Sequence, residues 1–302
     1  MELIWLEDFV ALANTGNFSR AAEIRHVTQP AFSRRIRALE DWIGAMLFIR
    51  GPQGVTLTTA GEKFRSGAEE IVRRLHQLCN EAREAGDKEV KTLHFAATHA
   101  LSFTFFPGWI WRLDSDGTLG AIRLISDSMQ ACEQVMLQGQ AQFLLCYHHE
   151  MARSRFDPSQ FESVQVGEDS LVLLSAADAH GTPLWKLSDG GKPIHYLAYS
   201  EESGLGRIIA AKQSEGVFPP LETIVTSRLA VTLQTMARDG RGVAWLPLSL
   251  ATADMQAGRL VRAGTPEQDI KMAVRLFRPR SPQSQNAEKF WMRLQTHQDM
   301  TG

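Results

Sequence analysis

Thr28, Gln29, Ser33, Arg34 and Arg37 fall within ten residues, and no carboxylate lies among them. Their hydroxyl, amide and guanidinium groups suit phosphate oxygens and, for Gln and Arg, the edges of bases. From Arg25 to Arg37 there are four arginines and no acid, a local charge of +4. From Met1 to Arg50 six arginines face six acids, so the basic surface is local. The whole chain carries 32 Lys and Arg against 34 Asp and Glu, net −2, which argues against a general polyanion binder.

These donors need a scaffold, and the spacing supplies one. Phe32, Ile36, Leu39 and Ile43 fall at i, i+4, i+7 and i+11, the buried stripe of a helix. Thr28 is placed to cap it and Pro30 falls in its first turn, where a missing N–H costs nothing. Gln29, Pro30, Ser33, Arg34 and Arg37 then share another face. Before it, Ser19 is placed as the N-cap of a helix whose Ala21, Ala22 and Ile24 allow close crossing, and Ser19 itself is a candidate phosphate contact. His26-Val27 separates the two helices. This is a helix-turn-helix, with the second helix suited to the major groove.

Residues 3–15 read as an amphipathic helix with Trp5, Phe9 and Leu12 on one face, ended by Gly16. Leu47-Phe48-Ile49 and Val55-Thr56-Leu57 are strand-like runs around the turn Gly51-Pro52-Gln53-Gly54, a wing on which Arg50 and Gln53 are placed for phosphate. A long helix follows over about 59–85. Its apolar positions Phe64, Ala68, Ile71, Leu75, Leu78 and Ala82 predict pairing with a second copy, with Phe64, Ile71, Leu75 and Leu78 in the seam. Cys79 on this helix reads as a small packing residue.

This pattern resembles the winged helix-turn-helix of the LysR-type transcriptional regulators. The matching residues are Phe9, Ala21-Ala22, Thr28-Gln29-Pro30-Ala31, Ser33, Ile36, Leu39-Glu40, Gly44, Leu47-Phe48, Arg50, Leu57-Thr58 and Gly61. The resemblance extends more weakly over the chain. It implies a homodimer or homotetramer on a two-fold DNA operator, with a small-molecule effector or an oxidant read by the C-terminal part and RNA polymerase a candidate further partner. Within that family, NFSRAA followed by TQPAFSRRIRALE is similar to the hypochlorite-responsive branch.

Beyond a polar hinge at 86–90 the pattern changes to strands alternating with helices, implying an α/β domain over 91–302 with a mainly parallel sheet. Strands are expected at 93–97, 122–125, 142–146, 171–175, 195–199, 222–225, 243–246 and 272–277. One helix is expected to hold Phe103, Phe106 and Trp109, and others to run over 129–137, 204–214, 228–238 and 285–298. Crossovers near 165 and 270 divide the domain into lobe I, about 91–165 and 270–302, and lobe II, about 166–269. The two lobes resemble the periplasmic-binding-protein architecture of LysR effector domains, behind a winged helix-turn-helix head at 1–58.

Ligands in such folds sit at the carboxyl ends of strands. Those ends carry Thr98, His99 and Ser102; Ser126, Asp127 and Ser128; Tyr147 and His148; and Ser200, Ser203, Thr226 and Ser227. Trp245 is placed to close the pocket. The resemblance adds the loop His99 to Ser102, hence Ala100 and Leu101, together with the loop after Tyr199 and the segment around Thr226. A hydroxyl- and N–H-rich cleft suits a small anion or carboxylate. Oxidation is the alternative signal, since the chain has ten methionines and three cysteines. Met129 and Met136 look like helix positions, with Met136 packing inward, and Cys146 lacks an evident basic partner.

Cys79, Cys132 and Cys146 form neither a metal-spaced cluster nor a disulfide framework. No Gly-rich phosphate loop, HExxH or GxSxG occurs, so no catalytic residue, cofactor or metal is expected. No apolar run approaches the ~18 residues of a membrane span. The segment MELIWLEDF has acids and no basic n-region, so a cytoplasmic protein is expected over a secreted solute-binding one.

Overall fold

Capping decides where the second helix begins. Helix α2 (Phe18–Ile24) starts at Asn17, whose side-chain oxygen accepts from the backbone N–H of Ser19 at 2.9 Å and of Arg20 at 3.1 Å. Ser19 therefore lies inside the first turn and is not the cap; the amide side chain two residues earlier reaches both orphan donors. The structure is a computed structural model that describes residues 2–51, 54–86, 92–152, 154–186, 194–213 and 221–299. The chain divides into two units, Met1–Asp87 with Leu137–Gln140, and Lys88–Met136 with Ala141–Gly302.

The first unit opens with helix α1 (Leu3–Thr15), closed by Gly16 at φ 60°. His26, at φ 53°, makes the turn between α2 and helix α3 (Gln29–Ile43). Thr28 is the N-cap of α3 by backbone position, but its hydroxyl makes no capping bond. Phe32, Ile36 and Leu39 are buried as the stripe requires. Glu40 is buried too, and its carboxylate accepts from the N–H of Leu47 at 2.8 Å and of Phe48 at 3.2 Å. It thereby ties α3 to strand β1 (Phe48–Gly51), which pairs antiparallel with β2 (Gly54–Leu57).

Helix α4 (Thr59–Gly86) leaves this hairpin. Thr58 starts it, donating to Met46 O at 2.7 Å and accepting from Gly61 N at 3.0 Å. Only glycine fits at 61, since a Cβ there would sit 2.2 Å from Leu47 O. The α4 stripe splits between two uses. Phe64 packs edge-on to Phe9, centroids 5.0 Å apart, within this unit's own core beside Ala68 and Val72. Phe64 therefore packs in the core of its own unit against Phe9 and not in the expected seam. Ile71 and Leu78 are exposed, and Leu75 is half-buried. Cys79 is exposed and does not pack in the core. Of the expected hinge, residues 87–90 lie outside the described residues, as does Gln53.

The second unit is built on a seven-stranded sheet in the order β10-β6-β11-β5-β3-β4, with β9 also on β6. Strands β3 (Thr92–Thr98), β4 (Ala121–Asp127) and β5 (Phe143–His148) run parallel. Strands β6 (Phe161–Ala176) and β11 (Ile270–Pro279) run antiparallel to each other, and β11 antiparallel to β5, so the sheet is mixed and not mainly parallel. The expected strand at 171–175 is the end of the 16-residue β6. Its polar first half, SVQVGEDS, hides it from an apolar-run reading, yet it carries the chain from lobe I to lobe II.

In lobe II, β7 (Ile194–Tyr199) and β8 (Leu221–Ser227) pair in parallel. Strands β9 (Ala244–Pro247) and β10 (Leu260–Arg262) flank the far half of β6. The helix expected after β3 is two, α5 (His99–Thr104) and α6 (Phe106–Leu113), divided at Phe105 before Pro107. Phe103 is consequently exposed while Phe106 and Trp109 join the core. Helices α7 (Met129–Leu137) in lobe I, α8 (Gly204–Gln213), α9 (Ala230–Arg238) and α10 (Leu248–Gln256) in lobe II, and α11 (Gln285–Asp299) complete the domain.

Candidate DNA interface and effector cavity

On α3 the expected face is presented outward. Gln29, Pro30, Arg34 and Arg37 are exposed, as is Thr28, and Ser33 is half-buried. Ser33 accepts from Arg50 on the wing at 3.2 Å, and the Arg50 guanidinium lies 4.3 Å above the Phe18 ring. Helix α3, the β1–β2 hairpin and α2 thus meet around one arginine, held by a hydrogen bond and a cation–π contact. Ser19 is exposed on the first turn of α2 next to Arg20, an exposed cation not expected from the sequence pattern.

The +4 of the sequence is halved by α1. Arg25 donates to Asp8 at 2.9 Å and pairs with Glu7, and Arg35 reaches Asp8 at 3.4 Å. Asp8 is fully buried, so these guanidinia neutralise a charge that water cannot reach. Glu7 also meets His76 of α4 at 3.0 Å. Two acids of α1 thereby fasten α2, α3 and α4. The arginines left for a ligand on this surface are Arg20, Arg34, Arg37 and Arg50.

In the second unit a cavity lies where strand ends of both lobes converge. Thr98, His99, Ala100, Asp127, Ser128, Met129 and Tyr147 line it from lobe I, and Ser203, Gly204, Leu205, Arg228 and Ala230 from lobe II. It is small, about 20 Å³, room for roughly one water. Of its lining, the Thr98 hydroxyl is buried with no protein partner among the described residues, a cost that an acceptor would relieve; the Tyr199 and Ser200 hydroxyls are unpartnered too but do not line it. Arg228 adds a cation, while Asp127 works against a heavily charged anion. At the rim Ser102 and Ser126 share a hydrogen bond at 2.7 Å, with His99 3.3 Å from Ser126 and 3.8 Å from Asp127.

Other expected contacts lie elsewhere. Trp245 is fully buried, edge-on to Tyr196, and closes nothing; it anchors the core of lobe II. Leu101 faces the core and Thr226 is exposed on β8. His148 lines neighbouring cavities rather than this one. Ser200 follows β7 with its hydroxyl buried and is not in the cavity lining. Arg228, Gly204, Leu205 and Ala230 were not singled out from the sequence, although Arg228 directly follows Thr226-Ser227.

The tyrosine in the wall is fixed from behind. Tyr147 donates to Asp169 of β6 at 2.7 Å, and Ser249 at the start of α10 donates to the same carboxylate at 2.6 Å. Burial raises the Tyr147 hydroxyl far above its ordinary value, with Asp169 adding to it, so it remains a donor. Burial likewise pushes the Cys132 thiol up to about 12 and raises Cys146, which makes both poor nucleophiles.

A sequence profile of bacterial regulatory helix-turn-helix proteins of the lysR family matches residues 3–62, and one of the LysR substrate binding domain matches 86–299. The chain belongs to the LysR family. It is a DNA-binding transcriptional regulator with an effector-binding domain, in a family of regulators and not of enzymes. It is 32% identical over 294 residues to the HTH-type transcriptional regulator YjiE of Escherichia coli K12, covering 97% of this chain and 94% of that one. Among solved structures, it is similar to full-length HypT of Salmonella typhimurium, described as a hypochlorite-specific LysR-type transcriptional regulator. That match has TM-score 0.58 and 30% identity over 99% of each chain. The bromide-bound regulatory domain of HypT matches 70% of this chain and 97% of its own, with TM-score 0.58 and 26% identity. Vibrio fischeri DarR in complex with DNA matches 97% and 98% of the two chains, with TM-score 0.57 and 27% identity.

Proposed function

We propose that residues 1–58 read a two-fold operator through α3, that α4 joins two copies, and that a small anion in the cavity sets their activity. Gln29, Ser33, Arg34 and Arg37 face the major groove; Ser19, Thr28, Arg20 and Arg50 meet phosphate. Ile71 and Leu78, exposed one above the other on α4, pair with a second copy. The cavity carries the effector reading: the buried Thr98 hydroxyl, without a partner among the described residues, lines it together with Arg228, in a space of about 20 Å³. The bromide bound to the HypT regulatory domain supports that size class. A regulator reading DNA in this way works in the cytoplasm.

The test is a thermal-shift titration with bromide, chloride and acetate, because a ligand that binds the native state raises its stability by mass action. At least one is expected to raise Tm, and Thr98→Val or Arg228→Ala to abolish the rise. A gel shift on the DNA upstream of the chain's own gene tests the head. If Arg34→Ala binds that DNA as tightly as the parent, the α3 assignment is wrong.

One observation favours a second reading, oxidant sensing. Met129 lines the cavity from a nearly buried position, and its sulfoxide would put a polar group against Gly204. Altered DNA binding after mild hypochlorite, lost in Met129→Leu, together with no response to any anion, would select this reading.

A further inference from the structure

Helices α7 and α8 belong to different lobes, and their N-termini face each other across the cavity through Ser128 and Met129 on one side and Ser203, Gly204 and Leu205 on the other. One turn further along, the two helices are joined. Glu133 of α7 is fully buried and accepts two hydrogen bonds from Arg207 of α8, at 2.7 Å and 2.9 Å. Arg155 stands 3.5 Å from the same carboxylate. The N–H of Gln130 also donates to Glu202 O at 3.3 Å, a backbone bond between the lobes.

Immediately inside this pair Met129 abuts Gly204, and a Cβ built on Gly204 would lie 3.3 Å from the Met129 Cβ. That contact is a wall. On its far side lies a second cavity lined by Cys146, Arg207, Ile208 and Phe277, which shares Met129, Tyr147 and Gly204 with the first.

We propose that the Glu133–Arg207 pair is a clasp between the lobes, holding shut a Met129–Gly204 wall that separates the effector cavity from an adjoining chamber. With the clasp closed, the first cavity takes only an ion of about one water's volume. With it open, the wall parts and the two spaces join. An anion with an apolar tail then fits, its head at Thr98 and Arg228 and its tail towards Ile208 and Phe277. A bidentate Arg–carboxylate pair suits this role because its geometry is directional and removing one partner leaves a buried charge. The ligand part rests on the anion reading above; the clasp itself does not.

The deciding measurement is hydrogen exchange in the full chain without ligand. Glu133→Gln is expected to speed exchange of the Gln130 amide and the first turn of α8 tenfold or more, leaving β3 unchanged. Unchanged exchange at Gln130 overturns the clasp. Should Glu133→Gln fail to fold, Arg207→Lys serves, since lysine keeps the charge and loses the two-pronged geometry.

Ligand entry is read separately in a Met129→Cys/Gly204→Cys variant, whose Cβ spacing is close to that of a disulfide. Oxidised, this protein is expected to keep the bromide thermal shift and to lose the benzoate shift that its reduced form shows. An equal benzoate shift in both forms overturns the gate. If no anion shifts the parent at all, the anion reading fails, and the exchange data still decide the clasp.

Discussion

Arg35 and Arg37 are two residues apart and look alike in sequence, but they have different surroundings in the structure, and on the proposed function salt can separate them. Arg37 is exposed on the outer face of α3, whereas Arg35 is committed to the buried Asp8. In a two-copy complex Arg37→Gln removes two charges facing DNA. At about 0.9 per phosphate neutralised, the slope of log affinity against log salt should fall in size by about 1.8. Between 50 and 200 mM salt that makes the variant about tenfold less salt-sensitive than the parent.

Arg35→Gln should leave the slope unchanged. It should instead destabilise the head by about 1 kcal/mol, since Asp8 keeps Arg25 and loses a long hydrogen bond. For a unit of this size that is a fall in Tm of about 4–8 °C. Fluorescence anisotropy on operator DNA at four or five salt concentrations, with a melt of each variant, tests both halves. The reasoning is refuted if Arg35→Gln lowers the slope as much as Arg37→Gln, or if Arg37→Gln leaves it alone.

Three further outcomes are expected. Asn17→Ala should cost the head about 1 kcal/mol in urea denaturation, with Asn17→Asp restoring it, because two N–H groups at the start of α2 lose their acceptor. Native protein treated with iodoacetamide near neutral pH should be labelled at Cys79 alone, and at all three cysteines in denaturant; native labelling at Cys132 would contradict its burial. Burial, reinforced by Arg123, holds the His94 imidazole below its ordinary 6.5. The unfolded chain therefore binds the proton first, and stability should fall as pH drops below about 6.5. Melts across that range should show a smaller fall in His94→Gln.

The parts legible in sequence were those written in local periodicity. The α3 stripe, the glycine ending α1, and most effector-domain strands follow from side-chain spacing over a few residues. What escaped needed partners far along the chain. Nothing near Arg25 or Arg35 says that Asp8 will claim both. The first half of β6 reads as polar because it gains its order by pairing with β11, about a hundred residues later. Trp245 lies within a short strand and suggested a pocket lid, but only the packing against Tyr196 shows that it faces the core. The site was legible as a set of strand ends. Which residues line it depended on how the lobes close, and Arg228 came into the wall through that closure.

The wing offers a last consequence. Val55 N donates to Gly16 O at 2.8 Å, and a Cβ on Gly54 would lie 2.9 Å from that same oxygen, so the hairpin is welded to the end of α1. Its other strand holds Arg50, bonded to Ser33 of α3. A head braced in this way has little give of its own. When an operator departs from the favoured shape, the duplex must do the bending, and the energy of that bending becomes part of the selectivity at base pairs no side chain touches.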